Sequence, residues 1–155
     1  MIVVSNSSPL ISLGAIGRLE LLHKLFGQIS IPLAVQQEVR SVEISTERWV
    51  VPRQVDNPLL PQALGSELDW GEAEAIALAV ELGADLLLMD ERRGRRLASR
   101  FGLKVLGVLG ILVDSKRTGL IEKIEPVLVE LREKAGFRIS TALYERALQE
   151  AGEAK

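Results

Sequence analysis

The sequence predicts an α/β fold, a three-layer α/β/α sandwich in which a parallel sheet lies between two layers of helices. Short apolar runs typical of buried parallel strands occur at 2–5, 28–31, 50–51, 85–89 and 104–106. Segments with helical periodicity separate these runs, as in successive strand–helix–strand units. The chain has 155 residues, 47% of them hydrophobic, and only 6 prolines, which is enough material for one core. We therefore expect residues 1–155 to form a single domain.

Helix start and stop signals define the first half of the chain. Ser7 or Ser8 followed by Pro9 predicts an N-cap and a helix over 10–16, and a second helix follows over 18–26. Pro32 predicts the start of a helix that extends to about Val42. The stretch 43–65 has weak periodicity and several prolines, so only the short strand at 50–51 is predicted there.

The pattern is stronger from Trp70 onward. Glycines follow several apolar-periodic segments, as expected where helices end. Ser140 is a good N-cap for the last helix, which we expect to reach about residue 151. The predicted helices before it span 71–82, 91–101, 107–118 and 121–135.

Composition limits the chemistry that this chain can perform. The absence of cysteine excludes disulfides, thiolate zinc sites, iron–sulfur clusters and cysteine nucleophiles. A single histidine, His23, excludes a multi-histidine metal site, and we expect it to lie at the surface or its boundary. The net charge of -2 argues against a protein that coats nucleic acid or membranes. Carboxylates must therefore carry most of any catalysis.

The chain also lacks the signals that would direct it to a membrane or out of the cell. Residues 1–8 have no charged region before an apolar segment, and they turn polar at Ser5. No uninterrupted apolar run approaches the ~18 residues that span a bilayer. We expect a soluble, cytoplasmic protein that does not associate with membranes.

Oxygen-bearing side chains recur where functional groups gather in parallel sheets, outside the carboxyl ends of the strands. Asn6 follows the first predicted strand and Asp90 follows the strand at 85–89. Glu38 lies on the helix after the second strand, and Glu72 and Glu74 lie in the first turn of the helix after Trp70. Early glutamates are also ordinary helix design, since the helix dipole favours them by about 0.3–1 kcal/mol.

Convergence of these donors would create a site for a hard cation. Asn6, Glu38, Glu74 and Asp90 offer only oxygen ligands, which Mg²⁺ and Mn²⁺ prefer. Mg²⁺ commonly binds through one or two carboxylates together with substrate phosphate oxygens. The set therefore predicts metal-assisted hydrolysis of a phosphodiester, a reaction that needs no histidine.

Three segments carry a resemblance to PIN-domain proteins. They are Ile-Val-Val-Ser-Asn-Ser-Ser-Pro-Leu-Ile at 2–11, Gly-Glu-Ala-Glu-Ala-Ile-Ala at 71–77, and Leu-Leu-Met-Asp-Glu-Arg-Arg-Gly-Arg at 87–95. With the segment Gly-Val-Leu-Gly-Ile-Leu at 107–112, they most resemble a small prokaryotic PIN-like family of unknown function that is related to toxin-type nucleases. Each segment alone is a weak signal, but their order and spacing together make the resemblance fairly specific.

The resemblance implies a Rossmann-like, PIN-type sheet and a metal-dependent ribonuclease that cleaves single-stranded RNA. It further implies Mg²⁺ or Mn²⁺ as cofactor and a role as the toxin of a toxin–antitoxin pair, with an antitoxin-like protein as partner. Carried over by position, the four acids of PIN nucleases correspond to Asn6, Glu38, Glu74 and Asp90, predicted as catalytic residues and metal ligands. Glu72 is a further predicted metal ligand, because flap-type nucleases with a similar acid-Ala-acid helix start use both acids.

Asn6 departs from the family pattern, which has aspartate at this position. An amide oxygen can still bind a hard cation, but the site loses one negative charge and metal affinity should fall. The alternative hypothesis is therefore a catalytically degenerate PIN-fold module that binds RNA or a protein partner.

Arginines are concentrated directly after Asp90. Five of the 19 basic residues fall within nine positions: Arg92, Arg93, Arg95, Arg96 and Arg100. They would track the phosphates of RNA, form a solvated face paired with Glu91, or dock an acidic partner such as an antitoxin segment. The predicted RNA-binding residues are Ser8, Arg92, Arg93, Arg96 and Arg100. For Ser8, helix capping is the competing interpretation.

Two apolar features leave alternatives open. Trp70 immediately precedes the Gly-Glu-Ala-Glu-Ala segment, so it either flanks the substrate groove or anchors a core or an interface. The C-terminal helices carry an apolar stripe larger than a small sheet needs, which predicts a homodimer. The stripe consists of Ile111, Leu112, Ile124, Val127, Leu128 and Leu131.

Overall fold

A five-stranded, all-parallel sheet forms the centre of the molecule. The computed structural model describes residues 1–40 and 47–154. The strands in that part of the chain are β1 (Val3–Ser5), β2 (Ile29–Pro32), β3 (Val50–Arg53), β4 (Leu86–Leu88) and β5 (Val105–Leu106). Their order in the sheet is β3-β2-β1-β4-β5. The predicted α/β sandwich with a parallel sheet is confirmed.

Helices cover both faces of this sheet. Within the described ranges they are α1 (Ser7–Ala15), α2 (Glu20–Phe26), α3 (Leu33–Glu38), α4 (Leu59–Leu64), α5 (Trp70–Leu82), α6 (Arg92–Arg100), α7 (Val108–Arg117), α8 (Glu125–Lys134) and α9 (Thr141–Glu150). None of these helices has the length and apolar character that crossing a membrane requires.

The strand order reverses between β1 and β4. The chain leaves β1 for β2 and β3 on one side, then returns to place β4 and β5 on the other. Val3 pairs with Leu86, and Ser5 pairs with Leu88. The residues that follow Ser5 and Leu88 therefore leave the sheet side by side at its carboxyl edge, where ligands bind in open parallel sheets.

Two apolar clusters lie on the two faces of the sheet, because successive strand residues point to opposite sides. Val3 and Leu88 belong to one cluster, and Val4 and Leu87 belong to the other. All six residues of the apolar stripe predicted in the C-terminal helices lie in the first cluster and are at most 2% exposed. The chain itself covers that stripe, so the stripe gives no support for a homodimer, which stays a prediction.

Helix α1 begins earlier than predicted. Its first residue is Ser7 and its N-cap is Asn6, so the predicted cap at Ser7 or Ser8 and the predicted start at residue 10 are wrong. The reason is that Pro9, which lacks a backbone N–H, occupies the first turn, where that N–H has no helical partner. The predicted cap at Ser140 is confirmed, since its hydroxyl accepts the Leu143 N–H at 3.2 Å.

Prolines explain an element that the sequence did not predict. Pro58 is the N-cap of α4 and Pro61 lies in its first turn, where proline is tolerated, so the two residues begin a helix and do not break one. Helix α3 is shorter than predicted, since it ends at Glu38. The end predicted near Val42 lies outside the described residues.

Candidate metal centre

Asn6 is fixed where β1 ends. Its backbone N–H donates to the Leu88 carbonyl at 3.1 Å, which extends the β1–β4 pairing by one residue. Its side chain is buried, and Oδ1 accepts a hydrogen bond from the Ser8 hydroxyl at 3.2 Å. Ser8 makes no capping bond to α1, so the capping alternative for this residue is wrong. Its hydroxyl instead orients the Asn6 amide.

Glu38 is held near Asn6 by a hydrogen bond with Ser7, the residue that follows Asn6. The Ser7 hydroxyl donates to Glu38 Oε2 at 2.8 Å, which joins the end of α3 to the end of β1. The Glu38 Oε1 atom lies over Gly71, where a Cβ would collide with it. A side chain at position 71 would displace this carboxylate from the start of α5.

Glu74 supports the start of the same short helix. Its Oε1 accepts the Ala34 N–H at 2.9 Å, one of the N–H groups that lack a partner in the first turn of α3. Glu74 therefore holds the start of α3 while Ser7 holds the carboxylate at its end. One oxygen of this predicted metal ligand is engaged with the protein itself.

Glu72 is buried between α5 and α6. Its Oε2 lies so close to Gly94 that a Cβ there would be 3.0 Å away, and Met89 lies against the same glycine. Burial, followed by the hydrogen bond and negative charge of the Asp69 carboxyl group, raises the pKa of Glu72 to about 7. Asp69 is also the N-cap of α5 and accepts the Glu72 N–H at 2.8 Å.

Asp90 follows β4, and its two carboxylate oxygens differ in their contacts. Its Oδ1 accepts the Val108 N–H at 2.8 Å in the first turn of α7. Its Oδ2 is buried and has no hydrogen-bond partner among the described residues. Burial raises the pKa of Asp90, although the Val108 N–H and the charge of Arg95 oppose the increase. A buried polar atom without a partner costs about 1–3 kcal/mol, so this oxygen is the strongest sign of a ligand site.

The predicted site residues form a line of contacts along the carboxyl edge of the sheet rather than one acidic cluster. Asn6 and Asp90 leave adjacent strands, and Ser7 connects that point to Glu38. Glu72 and Glu74 continue the line on α5. Within residues 1–40 and 47–154, no three acidic or histidine side chains come together closely enough to hold one metal ion.

The donors still fit a divalent cation that is held by few protein ligands. Asp90 Oδ2 is a buried carboxylate oxygen without a partner in the described part of the chain, and the adjacent Asn6 adds a neutral amide oxygen. Mg²⁺ needs only one or two carboxylates when water and phosphate oxygens complete its coordination. Glu38 supplies an exposed carboxylate close by.

Helix α6 begins two residues after Asp90 and presents most of its arginines on its solvent-facing side. Its buried residues are Gly94, Leu97 and Ala98. At about 100° per residue, Arg92, Arg93, Arg96 and Arg100 fall within an arc of roughly 100° on the opposite side. All five arginines are exposed, and none is ion-paired with a carboxylate in the described part of the chain. The pairing with Glu91 is therefore not found.

Several residues of the site were not predicted. Ser7 orients Glu38, and Asp69 caps α5 beside Glu72. Arg95 lies near Asp90, since a Cβ at Gly107 would be 2.7 Å from Asp90 Oδ1 and 3.3 Å from Arg95 Nη1. The sequence offered a signal only for Asp69, because Asp-Trp-Gly-Glu has the spacing of a capping box.

Exposure excludes one of the alternatives for Trp70 and agrees with the prediction for His23. Trp70 is 50% exposed, so it is not a core anchor. It borders a surface cleft of about 480 Å³ together with Glu38, Asp69 and Gly71. His23 is exposed, as predicted, and stacks on Trp49 with ring centroids 5.1 Å apart.

The parallel α/β sandwich, with acids at the carboxyl edge of its sheet, is consistent with a PIN-type domain. A family model described as a PIN domain matches residues 2–153, and the chain belongs to this PIN-domain family of unknown function. PIN domains generally use divalent metal ions. Neither a curated protein nor a solved structure gives a significant match to the chain.

Proposed function

We propose that this protein is a Mg²⁺- or Mn²⁺-dependent ribonuclease that hydrolyses phosphodiester bonds of single-stranded RNA. The observation that carries the proposal is the buried Asp90 Oδ2, unpartnered among the described residues, beside Asn6 at the point where the strand order reverses. Family membership supports it, because a PIN domain is a nuclease-type fold. The oxygen-only donors and the arginines of α6 suit a phosphate-containing substrate.

Each proposed ligand is oriented by a neighbour. Val108 N–H fixes one oxygen of Asp90 and leaves the other free, and Ser8 orients the Asn6 amide. Asn6 and Asp90 would hold the cation, with Glu38, Glu72 and Glu74 as further candidates. When bound, the cation supplies Lewis acidity, which stabilises charge on phosphate oxygens and makes water more acidic. Glu38 is exposed and is the carboxylate best placed to accept a proton from water.

The arginine side of α6 would hold the RNA backbone next to this centre. Its exposed guanidinium groups lie along one helix that begins two residues after Asp90. Arginine binds phosphate in a bidentate manner, and such contacts attract RNA without regard to base sequence. The choice of single-stranded RNA as substrate rests on the family resemblance.

Substituting glutamine for Arg92, Arg96 and Arg100 together is expected to weaken RNA binding and its dependence on salt. Each phosphate contact that is lost should reduce the slope of log affinity against log salt by about 0.7 for a single strand. Fluorescence anisotropy with a labelled RNA, recorded in EDTA over a range of salt concentrations, measures both effects.

The matched control carries Arg138→Gln and Arg146→Gln, at exposed positions before and on α9. Its salt slope should equal that of the wild type. An unchanged slope in the triple variant would exclude α6 as the phosphate-binding surface.

Asn6→Asp is expected to increase both metal affinity and the rate of RNA cleavage. The substitution restores a negative charge beside Asp90 without changing the side-chain shape, and a second charged oxygen attracts a divalent cation more strongly. We expect at least about tenfold tighter Mn²⁺ binding by calorimetry, a fold-change equivalent to about 1.4 kcal/mol.

Cleavage of a labelled mixed-sequence RNA is followed in the same samples, with EDTA as the metal-free control. Ser8→Ala is the matched variant, because it removes the hydroxyl bonded to Asn6 and leaves the charge of the site unchanged. It should not increase Mn²⁺ affinity. Cleavage that persists unchanged in EDTA would refute the proposed metal dependence.

A second candidate function is a catalytically degenerate PIN module that binds RNA or a protein through α6. The neutral Asn6 favours it, as does the engagement of Glu74 with the Ala34 N–H. One result distinguishes the two candidates. Both predict the same salt dependence of RNA binding, but a degenerate module cleaves RNA only after the Asn6→Asp substitution. The toxin role, the antitoxin-like partner and the homodimer rest on the family resemblance and stay predictions.

A further inference from the structure

The cleft beside Trp70 shares Glu38 with the proposed metal centre and extends away from it over the start of α5. We propose that it binds a base of single-stranded RNA, with the Trp70 ring as the stacking surface and nearby carboxylates as acceptors for the base N–H groups. The proposal rests on the proposed function for its ligand class, and it names the subsite that selects the base.

Trp70 is held in place but left open on the solvent side. It is the first residue of α5, and its Cε3 atom packs over Gly65, where a Cβ would be 3.6 Å away. Half of its surface remains exposed. An aromatic ring that is anchored by one contact and half exposed is suited to stacking, which tolerates every base because each has a π face.

The dimensions and position of the cleft fit a base next to the metal centre. Its volume of about 480 Å³ is within the usual range of sites for small ligands. Glu38 lines it and is bonded to Ser7, the residue after Asn6. A base in this cleft would therefore lie beside the proposed position of the scissile phosphate.

Charge decides which part of a nucleotide the cleft would take. Its described lining includes the carboxylates of Glu38 and Asp69 and the amide of Gln37, and it includes no lysine or arginine. Two carboxylates repel phosphate, whose place is on the arginine side of α6. They accept hydrogen bonds from exocyclic amino groups, so adenine and cytosine should bind better than uracil, which has none.

The two tryptophans allow a direct test of the cleft in the folded protein. Trp49→Phe leaves Trp70 as the sole tryptophan, and oligo(A), oligo(C) and oligo(U) of about eight nucleotides are titrated in EDTA, so that no cleavage occurs. We expect saturable quenching of Trp70, with oligo(A) and oligo(C) binding several-fold more tightly than oligo(U). Trp70→Phe is the matched control, because its remaining Trp49 stacks on His23 and should not respond.

Affinity and kinetics complete the test. Trp70→Ala should weaken oligo(A) binding about tenfold by anisotropy, and Trp70→Phe should recover most of the loss. In Mn²⁺, Trp70→Ala should raise KM while kcat stays near the wild-type value. Absence of cleavage by the wild type with Trp70 quenching intact would refute the proposed nuclease and leave the subsite standing. Three results would overturn the subsite. They are binding or cleavage that does not change in Trp70→Ala, Trp70 fluorescence that does not change on titration, and the absence of oligonucleotide binding.

Discussion

Metal-free Asp90→Asn protein is expected to be more stable than the wild type at pH 8, although it should lose RNA cleavage and stabilisation by Mn²⁺. The amide keeps the acceptor for the Val108 N–H, and its neutral NH2 group replaces the buried carboxylate oxygen that has no hydrogen-bond partner among the described residues. Either group is buried there without a partner, but the charged oxygen costs more than the neutral amide, so the free energy of unfolding should increase by about 1 kcal/mol. Cleavage should fall more than about 100-fold, because a charged ligand of the proposed cation is lost.

The stabilisation should depend on pH with a defined sign. Burial raises the pKa of Asp90, so the folded state binds more protons than the unfolded state between the ordinary pKa and the raised one. Wild-type stability therefore falls as pH increases through that interval, and Asp90→Asn removes this dependence. The advantage of the variant should be present at pH 8 and disappear towards pH 3.

Urea denaturation in EDTA at several pH values measures the free energy of unfolding and its pH dependence. Thermal unfolding with added Mn²⁺ measures the stabilisation by the metal. Asp114→Asn on α7 is the matched control, since Asp114 contacts only the nearby Arg117 as an ion pair in the described structure. It should leave cleavage and the Mn²⁺ response unchanged. Wild-type cleavage by Asp90→Asn would remove Asp90 from the metal centre.

The sequence predicted the sheet edge well because strand ends have local signals. The apolar run at 85–89 stops at Asp90, and the run at 2–5 stops at Asn6, so both residues had to leave the sheet at its carboxyl end. The order of the strands in the sheet could not be predicted in the same way. Whether β1 neighbours β4 depends on pairing between distant segments, as in Val3 with Leu86, and no local pattern specifies it.

The contacts of the acids were harder to predict than their positions. Glu74 accepts from Ala34, 40 residues away, and Asp90 accepts from Val108, 18 residues away. Both donors are backbone N–H groups at helix starts, which almost every residue type provides, so the sequence does not mark them. Glu74 was predicted as a metal ligand from its place in α5, but that place also lets it support α3.

Glu153→Ala is expected to lower the free energy of unfolding by about 2–4 kcal/mol, the largest effect outside the site. The Glu153 carboxylate is only 8% exposed and lies at the start of α8. It accepts the N–H groups of Ile124 at 2.7 Å and Glu125 at 3.1 Å, and the Lys116 ammonium at 3.0 Å. Alanine leaves these three donors without this acceptor and removes the side-chain bonds that join Glu153 to α7 and to the start of α8.

The loss should shrink in acid. Burial acts to raise the pKa of Glu153, but hydrogen bonds from Ile124, Lys116 and Glu125 outweigh it and lower the pKa below its ordinary value. The charged carboxylate therefore contributes stability above the ordinary pKa, and the contribution disappears as pH falls through the lowered pKa. Urea denaturation at pH 7 should separate wild type and variant clearly, while at pH 2 the two curves should lie close together.

Two further variants distinguish the charge of Glu153 from its position. Glu153→Gln keeps an acceptor oxygen but no charge, so it should lose about half as much stability as alanine and show little change with pH. Glu150→Ala removes a carboxylate from the end of α9 that is paired with Arg146 at an exposed position, and should cost less than about 1 kcal/mol. If Glu150→Ala and Glu153→Ala were equally destabilising, the bonds to α8 would contribute nothing, since the two losses would then reflect only the removal of a negative charge near the C-terminus.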